Sequence, residues 1–380
     1  MIYVLLALLS LPFVQRKSSP DIRSILVIQT GKIGDFICTT SLFRDLRGAF
    51  PDARIVLAVH PINAKLAMQL PYFDQLVEIP SGTLSGWRHK WHWIKLIREI
   101  RPDVALCCSG GLAWPFILAM SGVPRRLGVT PNFLGRSTHF AQRLWTDCVQ
   151  HDGNQLIGST YARLLALLGV VSVNPRKELS ASPSAESHVE QFLSTAGHMS
   201  CNRMVGVAIS SANKLKELGE PLLEGVFTIL LESRSDLEIV LLGGPGDQQL
   251  ARSLIAALGS PRLMDSCGVF ELDEVPALLQ RLDLFIGVDS GLTYMADTLN
   301  IPLVSLAGPC NIKETRPQNE HVVILQASLP CVPCAHIFKA PYSCRIGTRA
   351  CIGNMQAMDI AGAALRLIDE TSSGKMTDPI

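Results

Sequence analysis

Short apolar runs separated by helix-length amphipathic segments recur along most of this chain, and that alternation most constrains its fold. In the first half the runs are SILVIQ (24–29), RIVLAV (54–59), LVEI (76–79) and DVALCC (103–108), with helix-like segments at 36–49, 62–70 and 87–99. Runs without a polar face suit strands buried on both sides, as in parallel sheets covered by crossover helices. A stretch rich in Ser, Pro and charge, VNPRKELSASPSAESH (173–188), has the composition of a linker. The alternation then restarts with RMVGVAI (203–209), LEIVLL (237–242), RLMD (262–265), DLFIG (283–287), PLVSL (302–306) and VVIL (322–325). Two consecutive βαβ series predict an α/β protein of two Rossmann-like, doubly wound domains facing across a cleft. Their expected bounds are 21–185 and 186–380, the second with a Cys-rich segment and a last helix near 357–370. Residues 1–20 form a separate apolar extension.

Net charge is +1 over 380 residues, so no broad basic excess exists to follow a nucleic-acid backbone, and no nucleic-acid partner is expected. With 48% hydrophobic and 18% charged residues, the chain can build large cores. Eleven cysteines, an odd number scattered over a long chain, are not a secreted disulfide framework. The apolar N-terminal run, Ile2 to Val14, is short for a membrane span and lacks the basic start and small-residue cleavage site of a secretory signal. Arg16 and Lys17 follow it. It reads as a membrane-touching extension with a cytoplasmic basic flank. WRHKWHWIKLIREI (87–100) interleaves Trp87, Trp91 and Trp93 with Arg88, Lys90 and Lys95. As a helix it suits a membrane surface, a large polar ligand, or a partly buried surface position.

Ligands of doubly wound folds bind at the carboxyl ends of the strands. Four loops there draw notice. In IQTGKIGDFICTTSLFRDL (28–46), Gly31, Lys32 and Gly34 form a tight loop before a helix whose first amides make an anion site. Asp35 at that junction is either the helix cap or a general base. In AISSANKLKELGEP (208–221), Ser210, Ser211, Lys214 and Lys216 suit a diphosphate, or are a solvated loop. In LLGGPGDQQLA (241–251), Gly243 and Gly244 let backbone approach a ligand or merely make the turn. In LFIGVDSGLTYMADTL (284–299), Asp289, Ser290 and Gly291 open a helix, as caps or as a corner for a sugar or ribose. Cys331, Cys334, Cys344 and Cys351 fall within 21 residues at uneven spacing, candidates for structural zinc, a cross-link or free thiols.

Taken in order, these motifs resemble glycosyltransferase family 9, the lipopolysaccharide heptosyltransferases. The resemblance runs from about Ser24 to the end. It is carried by ILVIQTGKIGDFICTTSLFRDLRGAFPDARIVLAV, LLGGPGDQQLA, DLFIGVDSGLTYMADTLNIPLVSLAGP and the CVPC tail. It implies a GT-B fold and inverting, metal-independent transfer of heptose or a related sugar. The donor would be a nucleoside-diphosphate sugar resembling ADP-heptose, the acceptor a lipopolysaccharide core or other lipid-linked glycan. Asp35 is then the catalytic base, Lys216 (or Lys214) the diphosphate contact, and Asp289, Ser290 and Gly291 part of the donor motif. The resemblance also implies a cytoplasmic protein, peripheral to or anchored on the inner membrane, that needs no cofactor. Two departures sit on the donor side: Tyr294 where the family usually has histidine, and KELG (216–219) where it usually has KxWP. They keep open an alternative, a sugar-nucleotide-binding relative without catalysis. An epimerase or dehydrogenase on the same architecture is disfavoured, because no complete G-x-G-x-x-G follows the first strand.

Overall fold

The computed structural model describes residues 21–132, 141–172 and 174–374, so the membrane reading of residues 1–20 lies outside it. The chain divides between Lys177 and Glu178 into two compact units, each with its own sheet. The first sheet holds β1 (Ser24–Gln29), β2 (Arg54–Val59), β3 (Gln75–Glu78), β4 (Val104–Cys107), β5 (Arg125–Pro131) and β6 (Asp147–His151). The second holds β7 (Arg203–Ala208), β8 (Leu237–Leu242), β9 (Leu263–Asp265), β10 (Leu284–Val288), β11 (Leu303–Leu306) and β12 (Val322–Leu325). The orders are β3-β2-β1-β4-β5-β6 and β12-β11-β10-β7-β8-β9, with every pairing parallel. Counted from each unit's first strand, the two orders are the same. The winding reverses between β1 and β4 and between β7 and β10, and a crevice opens outside the carboxyl ends of such a pair.

Burial explains the parallel pairing. All six residues of β8 are buried, as are Ile25 to Gln29 of β1, so helices must cover both faces. The helices that matter below are α1 (Ile33–Ile37), α2 (Thr40–Ala49), α3 (Trp87–Ile100), α4 (Ala113–Ser121), α5 (Glu220–Ser233), α6 (Gln248–Leu258), α7 (Gly291–Thr298) and α8 (Ala357–Gly374). In α3, Trp93, Ile94, Ile97 and Ile100 recur at helical spacing and are buried against the first sheet's core. The last helix, α8, packs into the second unit's core. Its Ile360, Ala361, Ala364 and Leu367 join Leu223, Phe227 and Leu230 of α5. Each large aliphatic side chain buried this way contributes roughly 1.5–3 kcal/mol.

Two features differ from the sequence reading. Neither β5 nor β6 stands out as an apolar run, because RRLGVTP carries two arginines and β6 is an edge strand with alternating burial. Arg126 is nonetheless buried at 5% exposure. Its guanidinium donates to the carbonyls of Leu144 (2.8 Å) and Val123 (2.6 Å), so the charge keeps hydrogen-bond partners inside. The single helix expected over 36–49 is two, α1 and α2. The Thr39 hydroxyl donates to the Asp35 carbonyl (2.7 Å) and Thr40 to that of Ile37 (2.9 Å), and such local bonds compete with the helical ladder.

Gly128 on β5 sits beneath the Trp145 indole, where any Cβ would overlap the ring. Gly128→Ala is expected to cost about 1–3 kcal/mol through overpacking. A thermal melt followed by tryptophan fluorescence checks this, with a fall in Tm of roughly 2–4 °C for each kcal/mol.

Candidate active site

In the first unit the loop after β1 is built on a buried amide. Gln29, 1% exposed, accepts the Gly31 N–H at Oε1 (3.0 Å) and donates through Nε2 to the carbonyl of Asp35 (3.3 Å) and to Thr39 Oγ1. From the loop after the reversing neighbour β4, Ser109 Oγ accepts the Thr30 N–H at 2.7 Å. Asn63, fully buried, donates to the Gly31 carbonyl at 2.9 Å. Gly31 is required here, since an added Cβ would lie 2.5 Å from the Asp35 Cβ. Asp35 is the third residue of α1 rather than its cap. Its Oδ2 accepts the N–H of Lys32 at 3.1 Å, the reciprocal half of a capping box. The side chain is partly exposed, and Lys32 is exposed.

The second unit repeats this turn. GKIGD (31–35) follows β1 and GGPGD (243–247) follows β8. Asp247 Oδ2 accepts the N–H of Gly244 at 2.7 Å, and a Cβ on Gly243 would lie 2.8 Å from that of Asp247. One carboxylate in each loop therefore has the same structural duty.

Loops after β7, β8 and β10 lie on three adjacent strands. Lys216 and Lys214 separate cleanly there. Lys214 is exposed and pairs with Glu217 at 2.5 Å. Lys216 is 15% exposed and donates to the Asp289 carbonyl (3.1 Å) and to Asp289 Oδ2. Asn213 shapes the loop that delivers it, accepting the Leu215 N–H and donating to the Pro341 carbonyl. Of the two serines, Ser211 is buried and Ser210 partly exposed. Tyr294, on α7, is 4% exposed and donates to Asp289 Oδ1 at 2.6 Å. It reaches the site through Asp289. Cys310 lies under the same carboxylate, and burial together with the Asp289 charge holds its thiol well above the ordinary range. Ser290 precedes Gly291 at the N-terminus of α7, with a buried hydroxyl that has no hydrogen-bond partner. A buried hydroxyl left so is costly unless a ligand completes it.

The cysteine segment does not present a metal centre or a cross-link. All 11 cysteines are free thiols, and among the described residues no group of three or more His, Cys, Asp or Glu is gathered to hold an ion. Burial raises the pKa of Cys334 and Cys351, whereas backbone N–H groups led by that of Arg349 lower that of Cys344. The uneven spacing leaves these thiols in unlike surroundings.

Sequence reasoning did not single out Gln29, Asn63, Ser109 or Asn213. Gln29 alone left a signal, a polar residue ending an otherwise apolar strand.

Two Rossmann-type units in one chain, each with a reversal point in its sheet, have the architecture of the GT-B fold. Solved structures with this fold include a family 9 glycosyltransferase from Veillonella parvula, with 20% identity, TM-score 0.75, and 93% of this chain and 99% of that one covered. Another is the Escherichia coli ADP-heptose lipopolysaccharide heptosyltransferase II, with 18% identity, TM-score 0.67, and 92% and 99% covered. In sequence, the chain is 23% identical to lipopolysaccharide heptosyltransferase 3 of Escherichia coli over 76% of its own length and 85% of that protein's. Residues 177–341 match the profile of glycosyltransferase family 9 (heptosyltransferase). The chain is thus similar over most of its length to lipopolysaccharide heptosyltransferases, and its residues 177–341 carry the family 9 profile.

Proposed function

We propose that this protein moves heptose, or a closely related sugar, from a nucleoside-diphosphate donor such as ADP-heptose to a lipopolysaccharide core or other lipid-linked glycan, with inversion at the anomeric carbon. The reading is carried by what each unit holds at its own reversal point: Asp35 in the first, and Lys216, Asp289 and the orphan Ser290 hydroxyl in the second. The acceptor hydroxyl attacks the anomeric carbon, forming one C–O bond as the bond to the diphosphate breaks. Its proton passes to the Asp35 carboxylate, and the electron pair leaves with the nucleoside diphosphate. Lys216 and the first amides of α7 meet the charge that gathers on the phosphates, so the step itself calls for no metal. An ammonium has three donors, and an arriving diphosphate takes over part of what Asp289 holds.

The lipid-linked acceptor places the protein at the cytoplasmic face of the inner membrane. Support comes from the apolar run 2–14 and from the lipopolysaccharide heptosyltransferases among its relatives. No helix among the described residues is long and apolar enough to cross a membrane.

A panel of nucleoside-diphosphate sugars, each offered with delipidated core oligosaccharide and followed by mass spectrometry, tests the reading. The expected result is one added heptose mass with ADP-heptose and release of ADP. Binding of the donor, seen as a thermal shift, with no transfer to any acceptor would favour the non-catalytic alternative, for which Tyr294 and the KELG stretch (216–219) are the motivating departures.

A further inference from the structure

The solvent face of α3 combines features that the transfer chemistry does not use. Trp87 and Trp91 are 44% and 38% exposed, and their rings stack with centroids 6.3 Å apart at 24°. The Arg98 guanidinium lies 5.7 Å from the centre of the Trp91 ring. At the other end of the helix a shallow surface hollow, open to solvent, is lined by Arg54, Lys95, Arg98, Glu99, Ile100 and Arg101. Arg88 is exposed beside Trp87. Four cations thus line one hollow with a single carboxylate among them, and Arg88 adds a fifth at the far end of the helix, in a chain whose net charge is only +1.

A second observation points the same way. Arg23, where the described chain begins to pair, donates its N–H to Asp103 at 2.9 Å and accepts the N–H of Arg54 at 2.8 Å. Arg54 lines the basic hollow, and Arg101, the left-handed cap of α3, lies two residues before Asp103. The described chain therefore begins close to that hollow, and the apolar run 2–14 with Arg16 and Lys17 precedes this point in sequence. Stacked exposed indoles near one end of α3 and clustered cations at the other thus lie along one helix, with the start of the described chain at the cationic end.

We infer that this face of α3, with the Arg54–Arg101 hollow at its end, docks the first unit on an anionic lipid surface. The cations meet headgroup phosphates, and Trp87 and Trp91 sit at the level where amphipathic rings are favoured. Fourteen residues make the contact roughly 21 Å long, enough for several headgroups. A solvated surface helix would account for the charges but not for two stacked, exposed indoles on the same helix. The inference rests on the proposed lipid-linked acceptor and deepens it by assigning the surface that faces the lipid.

The test uses the full chain, so that the N-terminal segment is present in every variant. Co-sedimentation compares vesicles of phosphatidylcholine alone with vesicles containing a minority of phosphatidylglycerol, at low and high salt. The wild type is expected to partition onto the anionic vesicles in a salt-sensitive way, and brominated acyl chains should quench its tryptophan fluorescence. Lys95→Glu with Arg98→Glu should weaken partition by about tenfold or more, and Trp87→Ala with Trp91→Ala should remove the quenching. Lys95→Arg with Arg98→Lys keeps the charge and should bind as wild type, which separates docking from a folding defect. Equal binding of wild type to both vesicle types would overturn the assignment. So would wild-type partition by the charge-reversed variant with its circular dichroism intact. Transfer to the delipidated acceptor should survive charge reversal. Its absence in the wild type would count against the transferase reading and leave the vesicle comparison standing.

Discussion

Asp35→Asn is expected to lower kcat by about 10²–10⁴-fold while leaving donor affinity close to wild type, because a positioned general base contributes on that scale. The fold supplies an internal control. Asp35 and Asp247 occupy matching places in GKIGD and GGPGD, and each carboxylate accepts one N–H from its own loop. Asparagine retains an acceptor oxygen, so each substitution should cost stability by no more than about 1 kcal/mol, the usual worth of a cap. Structural duty is thus equal at the two sites, and only Asp35 is assigned the proton. Asp247→Asn should keep kcat near wild type with a similar shift in Tm. If the two variants lose activity equally, Asp35 is a turn residue and the base lies elsewhere. Steady-state transfer to the delipidated acceptor, alongside donor titration by calorimetry, distinguishes these outcomes.

Lys216→Met is expected to act on both stability and donor binding. Lys216 and Asp289 are 15% and 11% exposed, and the lysine bridges the carboxylate and the main chain of Asp289. Removing it leaves Asp289 nearly buried with Tyr294 as its remaining strong donor. Breaking a fully buried pair costs about 3–5 kcal/mol, and the residual exposure puts this loss toward or below the lower end. Adding Asp289→Asn should restore part of it, since the uncompensated charge is then gone. Donor binding separates the two roles. A charge-assisted bond to phosphate is worth about 1.5–3 kcal/mol, so the single variant should bind nucleoside diphosphate roughly 10- to 100-fold more weakly. The double variant should regain stability without regaining that affinity. Lys216→Met protein that binds the nucleotide as tightly as wild type would show that the lysine serves Asp289 alone.

The local side of this protein was open to reading in one dimension. Strands such as β1, β2 and β8 have apolar centres and almost no exposed residue, because parallel strands under two helical layers have no solvent face, and they and the edge strand β12 stand at their expected positions. Glycines 31 and 243 were visible as tight turns. The reading failed where a tertiary partner changes what a residue type means. Arg126 looks like surface, yet two carbonyls satisfy it inside β5. Thr39 and Thr40 look helical, yet they split the helix after Asp35.

By itself the sequence determined the repeated winding, the loops at the strands' carboxyl ends, and the residue types available at each, since these follow from periodicity and backbone freedom. Only the tertiary structure decided which partner each side chain serves. It brought Gln29 from strand β1 onto the Asp35 loop, chose Lys216 over Lys214 for Asp289, put Tyr294 beneath that carboxylate, and left Ser290 with a buried hydroxyl to offer. Hydrogen bonds and ion pairs depend on distance and direction in space. Residues 73 positions apart, such as Lys216 and Asp289, meet only once β7 and β10 lie side by side.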